Sequence, residues 1–303
     1  MTMPKPAYRG RFAPSPTGPL HFGSLVAAVG SFLEARIRHG EWHLRMEDVD
    51  TPRCSAAAAG EILRVLEACG FAWDGAVVWQ SRRGDAYAAA LEQLKAAGRV
   101  FPCACTRREL ADSAIAPDGA AIYPGTCRAG LAPGRAARAW RLRVGEARVS
   151  FDDAIQGRIV SDLARDAGDF ILLRADGLFA YQLAVVVDDA ATGITHVVRG
   201  ADLLASTSRQ IFLQQCLGVP TPEYAHLPVA VDAAGEKLSK QTRAGPIDSA
   251  RPGPALFAAL AFLGQRPPAE LHTAPVSELW AWAMANWHLA DVPRGSAPMA
   301  ESV

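Results

Sequence analysis

Apolar residues recur at three- and four-residue steps through Leu20, Leu25, Val29, Phe32, Leu33 and Ile37. That spacing stacks them along one face of a helix over residues 21–39. The helix is flanked by two short apolar runs, residues 8–13 and 42–46, which read as buried strands. Strand, helix, strand in that order begins a parallel α/β sheet. The rhythm continues with a second helix that opens at Thr51-Pro52 and carries Ile62, Leu63, Val65 and Leu66. Proline there sits early enough in the helix to cost no donor. A strand over 71–80 and a helix over 85–98 follow. From Cys103 to Gly134 cysteine, proline and glycine cluster, and residues 135–143 are basic, so this stretch reads as an insertion into the sheet. The α/β pattern returns at Asp169. Strands are expected at 170–173, at 179–183 and at Val185-Val186-Val187, a run suited to a strand buried on both faces. A helix over 206–217, a polar loop over 232–247 and a helical region with Trp280, Trp282 and Trp287 complete the chain. The Pro- and Ala-rich tail after Ala290 is expected to be disordered.

Charge narrows the classes of partner. The 31 basic and 31 acidic side chains cancel, so any nucleic acid must meet a local basic face and not a field of the whole protein. Six cysteines without an apolar leader fit a reducing cytoplasm, and no window reaches the ~18 apolar residues of a membrane span. A cytoplasmic monomer with no membrane association is expected.

Two segments carry the candidate chemistry. In R-F-A-P-S-P-T-G-P-L-H-F-G-S, residues 11–24, a strand runs into a Pro/Gly loop and His21-x-Gly23 opens a helix. A helix N-terminus offers unpaired N–H groups and the positive end of the dipole, which suits an anion. Gly23 lets a ligand approach the backbone, and His21 can donate to a phosphate. A lone His-x-Gly would be an ordinary capped turn, but Arg11, Ser15, Thr17 and His21 flank one strand-to-helix corner, where α/β ligands bind. Lys237-Leu238-Ser239-Lys240-Gln241 sits in the late polar loop and brings two point charges within reach of phosphate oxygens. Alone, that pair is solvated surface lysine.

Together the two segments resemble the paired signatures of class I aminoacyl-tRNA synthetases, and residues 11–25 are similar to the glutamyl branch. R-M-E-D-V-D from Arg45, D-G-L-F-A-Y-Q-L from Asp176, V-V-D-D from Val186, R-G-A-D-L from Arg199 and H-L-P from His226 extend the likeness over residues 11–263. H-F-G-S-L, C-A-C and K-L-S-K-Q resemble the short paralogues of glutamyl-tRNA synthetase that esterify glutamate to queuosine, the wobble base of tRNA(Asp). The resemblance implies a Rossmann-like parallel-sheet catalytic domain in two halves, 1–100 and 169–246. An inserted zinc-containing, acceptor-binding subdomain over 101–168 and a helical region over 247–303 complete it, without an anticodon-binding domain. It implies ATP with Mg²⁺, and activation of L-glutamate as an adenylate without tRNA. Arg11, Phe12, Ala13, Pro14, Ser15, Glu47, Tyr181 and Arg199 would line the glutamate pocket. His21, Gly23, Ser24, Lys237 and Lys240 would take ATP, with His21, Lys240 and Lys237 neutralising charge on the phosphates. Ser24 stands where many class I enzymes carry a second histidine. Read without the resemblance, Arg45 and Glu47 make a surface pair and Tyr181 a core residue, while Asp48, Asp50 and Asp189 serve as caps and structural partners. A different acceptor, such as tRNA(Glu), and a non-catalytic RNA-binding relic are the alternatives; five intact charged or polar site residues argue against the relic.

Cys103 and Cys105, then Tyr123 and Cys127, put three thiols near turn residues Pro124 and Gly125. Spacing alone leaves free buried thiols ahead of a tetrahedral zinc site, since three cysteines supply only three ligands. The resemblance implies zinc on Cys103, Cys105, Tyr123 and Cys127. Cys54, Cys69 and Cys216 fall in helical patterns and read as core. Arg107, Arg108, Arg128, Arg135, Arg138, Arg141 and Arg143 are candidate phosphate contacts for an anticodon stem; taken singly, each reads more readily as a solvated surface charge.

Overall fold

A computed structural model describes residues 7–116, 119, 121–231 and 245–298. The first half of the chain runs β1 (Arg9–Phe12), α1 (Phe22–Ile37), β2 (Glu41–Met46), α2 (Ala56–Ala68), β3 (Val78–Trp79) and α3 (Gly84–Ala96). Next come β4 (Val100–Cys103), β5 (Ala139–Leu142), β6 (Arg148–Asp153), β7 (Gly157–Asp162), the single turn α4 (Leu163–Asp166) and β8 (Ile171–Leu173). The remainder is α5 (Tyr181–Ala191), β9 (His196–Gly200), α6 (Leu204–Leu217), β10 (Glu223–Leu227), β11 (Val229–Val231), α7 (Gly253–Phe262), α8 (Val276–Asn286) and β12 (Ser296–Pro298).

β1 pairs in parallel with β2, β2 with β3, and β9 with β10. The Thr195 N–H donates to the Arg9 carbonyl at 2.9 Å and the Arg9 N–H to Thr195 Oγ1 at 2.8 Å, which draws the start of β9 against β1. The chain therefore leaves β1 for β2 on one side and returns with β9 on the other. The carboxyl ends of β1 and β9 meet at a topological switch point, the place where an open α/β sheet forms its crevice. β6 joins β10 in parallel and pairs antiparallel with β7, while β4, β5 and β8 make a separate antiparallel sheet.

Helix α1 is held tightly on this sheet. A Cβ on Gly30 would come 2.7 Å from Leu227 Cδ1, so any larger residue there would force the buried Leu227 side chain to shift. On its other side α1 meets the C-terminal helices: Phe22 packs edge-on against Phe262, Phe32 against Trp280, and Trp287 Nε1 donates to the buried Glu34 at 2.7 Å. The same large cluster takes in Trp42 and Phe71. A second cluster joins α3, α5 and α6 to β6 and β10, and a small third one centres on Phe101, Tyr123 and the cysteines.

Several expected elements differ. Val185-Val186-Val187 lies inside α5 and is not a strand. A continuous apolar run does not distinguish a buried strand from a buried helix; here Asp188 and Asp189 follow, and a helix sends their side chains about 100° apart. Asp188 goes to Arg83, Gln80 and Tyr87, and Asp189 to Arg45 and Arg11. Of residues 179–183, Phe179 makes one isolated bridge to Leu173 before α5 begins. The second helix starts at Ala56, where Ser55 Oγ accepts from the Ala58 N–H, and Thr51-Pro52 is a turn ahead of it. Only Val78–Trp79 of residues 71–80 is strand. Beyond Ala290, β12 pairs in parallel with β11, so that part of the tail is ordered by backbone hydrogen bonds.

Candidate active site

A cleft of about 510 Å³ opens at the switch point. Its floor is the end of β1 with the loop after it: Arg11, Phe12, Ala13, Pro14 and Ser15. Glu47 follows β2 directly, and its N–H donates to the Pro14 carbonyl at 2.9 Å, which fixes the loop beside the second strand. His21, Gly23 and Ser24 from the start of α1 form one wall, and Tyr181 and Arg199 another.

The charges in this cleft are buried and interlocked. Asp189 Oδ1 lies 2.6 Å from Arg45 Nη1 and 3.3 Å from Arg11 Nε, and Glu47 Oε1 lies 3.3 Å from Arg45 Nη2. Burial would raise the Asp189 carboxyl, but Arg45 and Arg11 outweigh it and hold the group below the ordinary range. For Glu47 burial is the larger effect, and despite Arg45 and Arg11 its pKa is pushed up. Arg45 and Glu47 are thus a pair, but a buried one at 2% and 8% exposure, not the surface pair that the residues alone suggested.

Arg199, also buried, is different. Its Nη2 donates to Thr207 Oγ1 at 2.7 Å and to Gln210 Oε1 at 2.9 Å, its Nε to His226 Nε2 at 3.2 Å, and its Nη1 reaches Tyr181 Oη at 3.5 Å. Among the described residues these hydrogen-bond partners carry no formal charge. Burial lowers the pKa of His226 more than Asp153 restores it, which keeps the imidazole neutral. Arg199 therefore presents a guanidinium to the cleft with no carboxylate in direct contact, and an anionic ligand is the group that completes it.

At the helix end, His21 is the N-cap of α1: its Nδ1 accepts from the Ser24 N–H at 3.3 Å, and its Nε2 lies 3.1 Å from Ser24 Oγ. That cap leaves the proton on Nε2, which in this structure faces Ser24 Oγ. The chain leaves the described residues after Val231 and resumes at Gly245; Pro246 forms a bridge with His21, and the Ile247 N–H donates to the Leu20 carbonyl at 3.1 Å. Lys237 and Lys240 lie outside the described residues.

The cysteine cluster is assembled away from the cleft. The thiol sulfurs of Cys103, Cys105 and Cys127 all lie within 4.8 Å of one another, with Cys105 and Cys127 at 3.7 Å. Sulfurs bound to one tetrahedral zinc at ~2.3 Å stand about 3.8 Å apart, so the donor set fits such an ion. Tyr123 Oη lies 3.5 Å from Cys103 Sγ and 3.6 Å from Cys105 Sγ, and accepts from the Cys127 N–H at 2.7 Å. Of the basic residues nearby, Arg141 is buried over the Tyr123 ring with Nη1 on the Asp169 carbonyl, and is not available to a phosphate. Arg107, Arg108, Arg128, Arg135 and Arg138 are exposed, Arg128 paired with Asp169 and Arg135 with Glu109.

Sequence reasoning gave no role to Asp153, Thr207, Gln210 or His226, which surround Arg199. The H-L-P segment was visible, but nothing in its composition says that the histidine is wholly buried against an aspartate 73 residues earlier. Cys54 does not lie in a helix; it precedes α2, lines the cleft, and its thiol contacts the Glu47 carbonyl. Among the described residues no helix is long and apolar enough to cross a membrane.

Comparison with known proteins adds four findings. The family profile described as "tRNA synthetases class I (E and Q), catalytic domain" matches residues 7–250. A glutamyl-Q tRNA(Asp) synthetase of Aromatoleum aromaticum is 65% identical over 289 residues, covering 95% of this chain and 91% of that protein. Another, from Dechloromonas aromatica, is 62% identical over 291 residues, covering 95% and 97%. Among solved structures, a glutamate-tRNA synthetase from Elizabethkingia anophelis superposes with a TM-score of 0.80 at 25% identity, covering 97% of this chain and 68% of that one.

Proposed function

The chain belongs to the class I (E and Q) tRNA synthetases, and on that premise we propose that it activates L-glutamate with ATP and transfers it to queuosine in tRNA(Asp). The acceptor rests on the names of its relatives. The amino acid rests on one observation of charge. Arg199 lies buried in the cleft, its hydrogen-bond partners among the described residues carry no formal charge, and a carboxylate of the amino acid supplies the anion that completes it.

Within that cleft the roles divide by partner. Asp189 already neutralises much of Arg11 and Arg45, whereas Arg199 has unfilled donor capacity on Nη1 next to Tyr181. Arg11 and Arg199 suit the two carboxylates, and Glu47 suits the ammonium. Phe12, Ala13, Pro14 and Ser15 close the floor under the amino acid. With ATP beside the start of α1, the amino acid's α-carboxylate oxygen attacks the α-phosphorus, the bond to the bridging oxygen breaks, and pyrophosphate leaves. Such a reaction needs positioning and charge neutralisation more than covalent help. Gly23 and Ser24 offer the helix N-terminus, His21 donates from Nε2, and Lys237 and Lys240, which lie outside the described residues, would neutralise phosphate charge. Mg²⁺ accompanying ATP would shield the same oxygens.

Zinc on Cys103, Cys105, Cys127 and Tyr123 belongs to the same reading; the sulfur spacing supports three of the four ligands, and the ion would tie β4 to the loop before β5. The inserted segment, with exposed Arg107, Arg108 and Arg138, would face the acceptor RNA, and the protein would act as a cytoplasmic monomer. The decisive experiment is glutamate-dependent exchange of pyrophosphate into ATP without tRNA, followed by charging of tRNA(Asp) with and without queuosine. Absence of glutamate-dependent exchange, or equal charging of both tRNAs, overturns the respective half.

A further inference from the structure

Behind Arg199 lies a buried chain of polar groups that the reaction does not touch. Asp153, at the end of β6, places Oδ2 2.6 Å from His226 Nδ1, and both side chains are fully buried. Its Oδ1 is occupied by three backbone N–H groups, those of Ile155 at 3.0 Å, Gln156 at 2.8 Å and His226 at 3.1 Å. An ionised Asp153 only accepts, so His226 Nδ1 must carry the proton and Nε2 must present its lone pair. That lone pair faces Arg199 Nε at 3.2 Å and Thr207 Oγ1 at 2.9 Å.

We propose that Asp153 and His226 are positioning residues that set the affinity for the acidic amino acid: Asp153 fixes the imidazole tautomer, and the imidazole holds Arg199 with its Nη1 edge toward the cleft. The proposal rests on the glutamate-activating reading given above.

The arrangement has a consequence that a direct Asp–Arg pair would not have. A carboxylate gripping the guanidinium bidentately would take two donors and cancel its charge. Routed through a neutral imidazole, the aspartate takes only the Nε donor. Nη2 is used by Thr207 and Gln210, and Nη1 stays available with a charge that no carboxylate touches directly. Second-layer orientation of this kind is the usual support for a side chain that must meet a ligand at fixed geometry. The groups facing the imidazole are Asp153 from β6, Arg199 from β9, Thr207 from α6 and the stacked Tyr224 ring from its own strand, with Asp202 contributing at longer range.

Asp153→Asn tests this directly. The amide keeps Oδ1 for the three backbone donors but replaces Oδ2 with a donor, so the imidazole must flip its proton to Nε2 and oppose Arg199 Nε–H. A hydrogen bond to a charged group is lost, which predicts a KM for glutamate raised about 10- to 100-fold in pyrophosphate exchange. The KM for ATP and kcat should stay within about threefold. A general structural defect would move all three and lower the active fraction instead. His226→Gln keeps an acceptor near the Nε2 position and should stay within about threefold of the wild type, whereas His226→Phe should behave like Asp153→Asn. If Asp153→Asn does not fold, the contrast between these two decides. Unchanged glutamate KM in Asp153→Asn, or equal KM in His226→Gln and His226→Phe, overturns the positioning role while the wild type remains active. A wild-type protein that neither binds glutamate nor exchanges pyrophosphate overturns the site reading itself.

Discussion

Arg45 and Asp189 come from segments 144 residues apart and meet at 2.6 Å with both side chains almost wholly buried. The pair joins β2 to α5, and its aspartate also steadies Arg11, which lines the cleft. Desolvation of both ions is costly, so the pair adds little by itself, but removing one charge leaves the other stranded. Asp189→Asn should therefore destabilise the fold by about 3–5 kcal/mol, measured by urea unfolding, and should also weaken glutamate binding. A stability change below about 1 kcal/mol would show that Arg45 and Arg11 find other partners.

Glu47 should link glutamate affinity to pH. Burial raises its pKa above the ordinary 4.5, and only the ionised carboxylate can hold an ammonium. As pH falls through the raised value, the group protonates and KM for glutamate should climb at pH values above 4.5. Stability moves the other way: a folded pKa above the unfolded one gives a contribution that is complete below 4.5 and fades as pH rises through the folded value. Glu47→Gln should abolish the acid rise in KM at the cost of a uniformly weak KM. A pH profile of the variant parallel to the wild type would assign the titration to another group.

How much of this could be read along the chain depends on what each feature needs. The corner at residues 11–24 was legible because its strand, loop and helix are consecutive, and His21, Gly23 and Ser24 are fixed by one local cap. The strand drawn through Val185-Val186-Val187 was wrong because apolarity was the only signal used; the aspartates that follow become buried in a helix only when Arg83, Arg45 and Arg11 arrive from elsewhere. The relay behind Arg199 was illegible for the same reason. Asp153 ends a hairpin strand in a segment that read as an insertion, and β6 pairs instead with β10 beside the cleft. Arg141 shows the converse error: among seven arginines only the fold reveals which is turned inward, over Tyr123.

Purified protein should contain about one zinc per chain by mass spectrometry, and Cys105→Ser or Cys127→Ser should remove most of it. Thiols must lose their protons to bind, so zinc retention under chelator should fall as pH falls. Because the cluster packs with Phe101 and Ala139 and lies apart from the cleft, zinc loss should impair transfer to RNA more than glutamate-dependent pyrophosphate exchange. Metal-free protein with full transfer activity would remove the ion from the reading.

His21 has two jobs that one pair of substitutions can separate. As N-cap of α1 it satisfies the Ser24 N–H through Nδ1, and any short polar acceptor can do the same. As a ligand to phosphate it needs the Nε2 proton, which only the imidazole places at that reach. Asn is among the best capping residues, and replacing a cap by alanine costs about 1 kcal/mol. His21→Asn should therefore unfold at nearly the wild-type temperature, while His21→Ala should be less stable by about 1 kcal/mol. Both should lose about 10²- to 10³-fold in kcat for pyrophosphate exchange, the loss expected when one donor to a developing charge is removed. If His21→Asn keeps wild-type kcat, the histidine is only a cap, and the phosphates are neutralised elsewhere along the helix end.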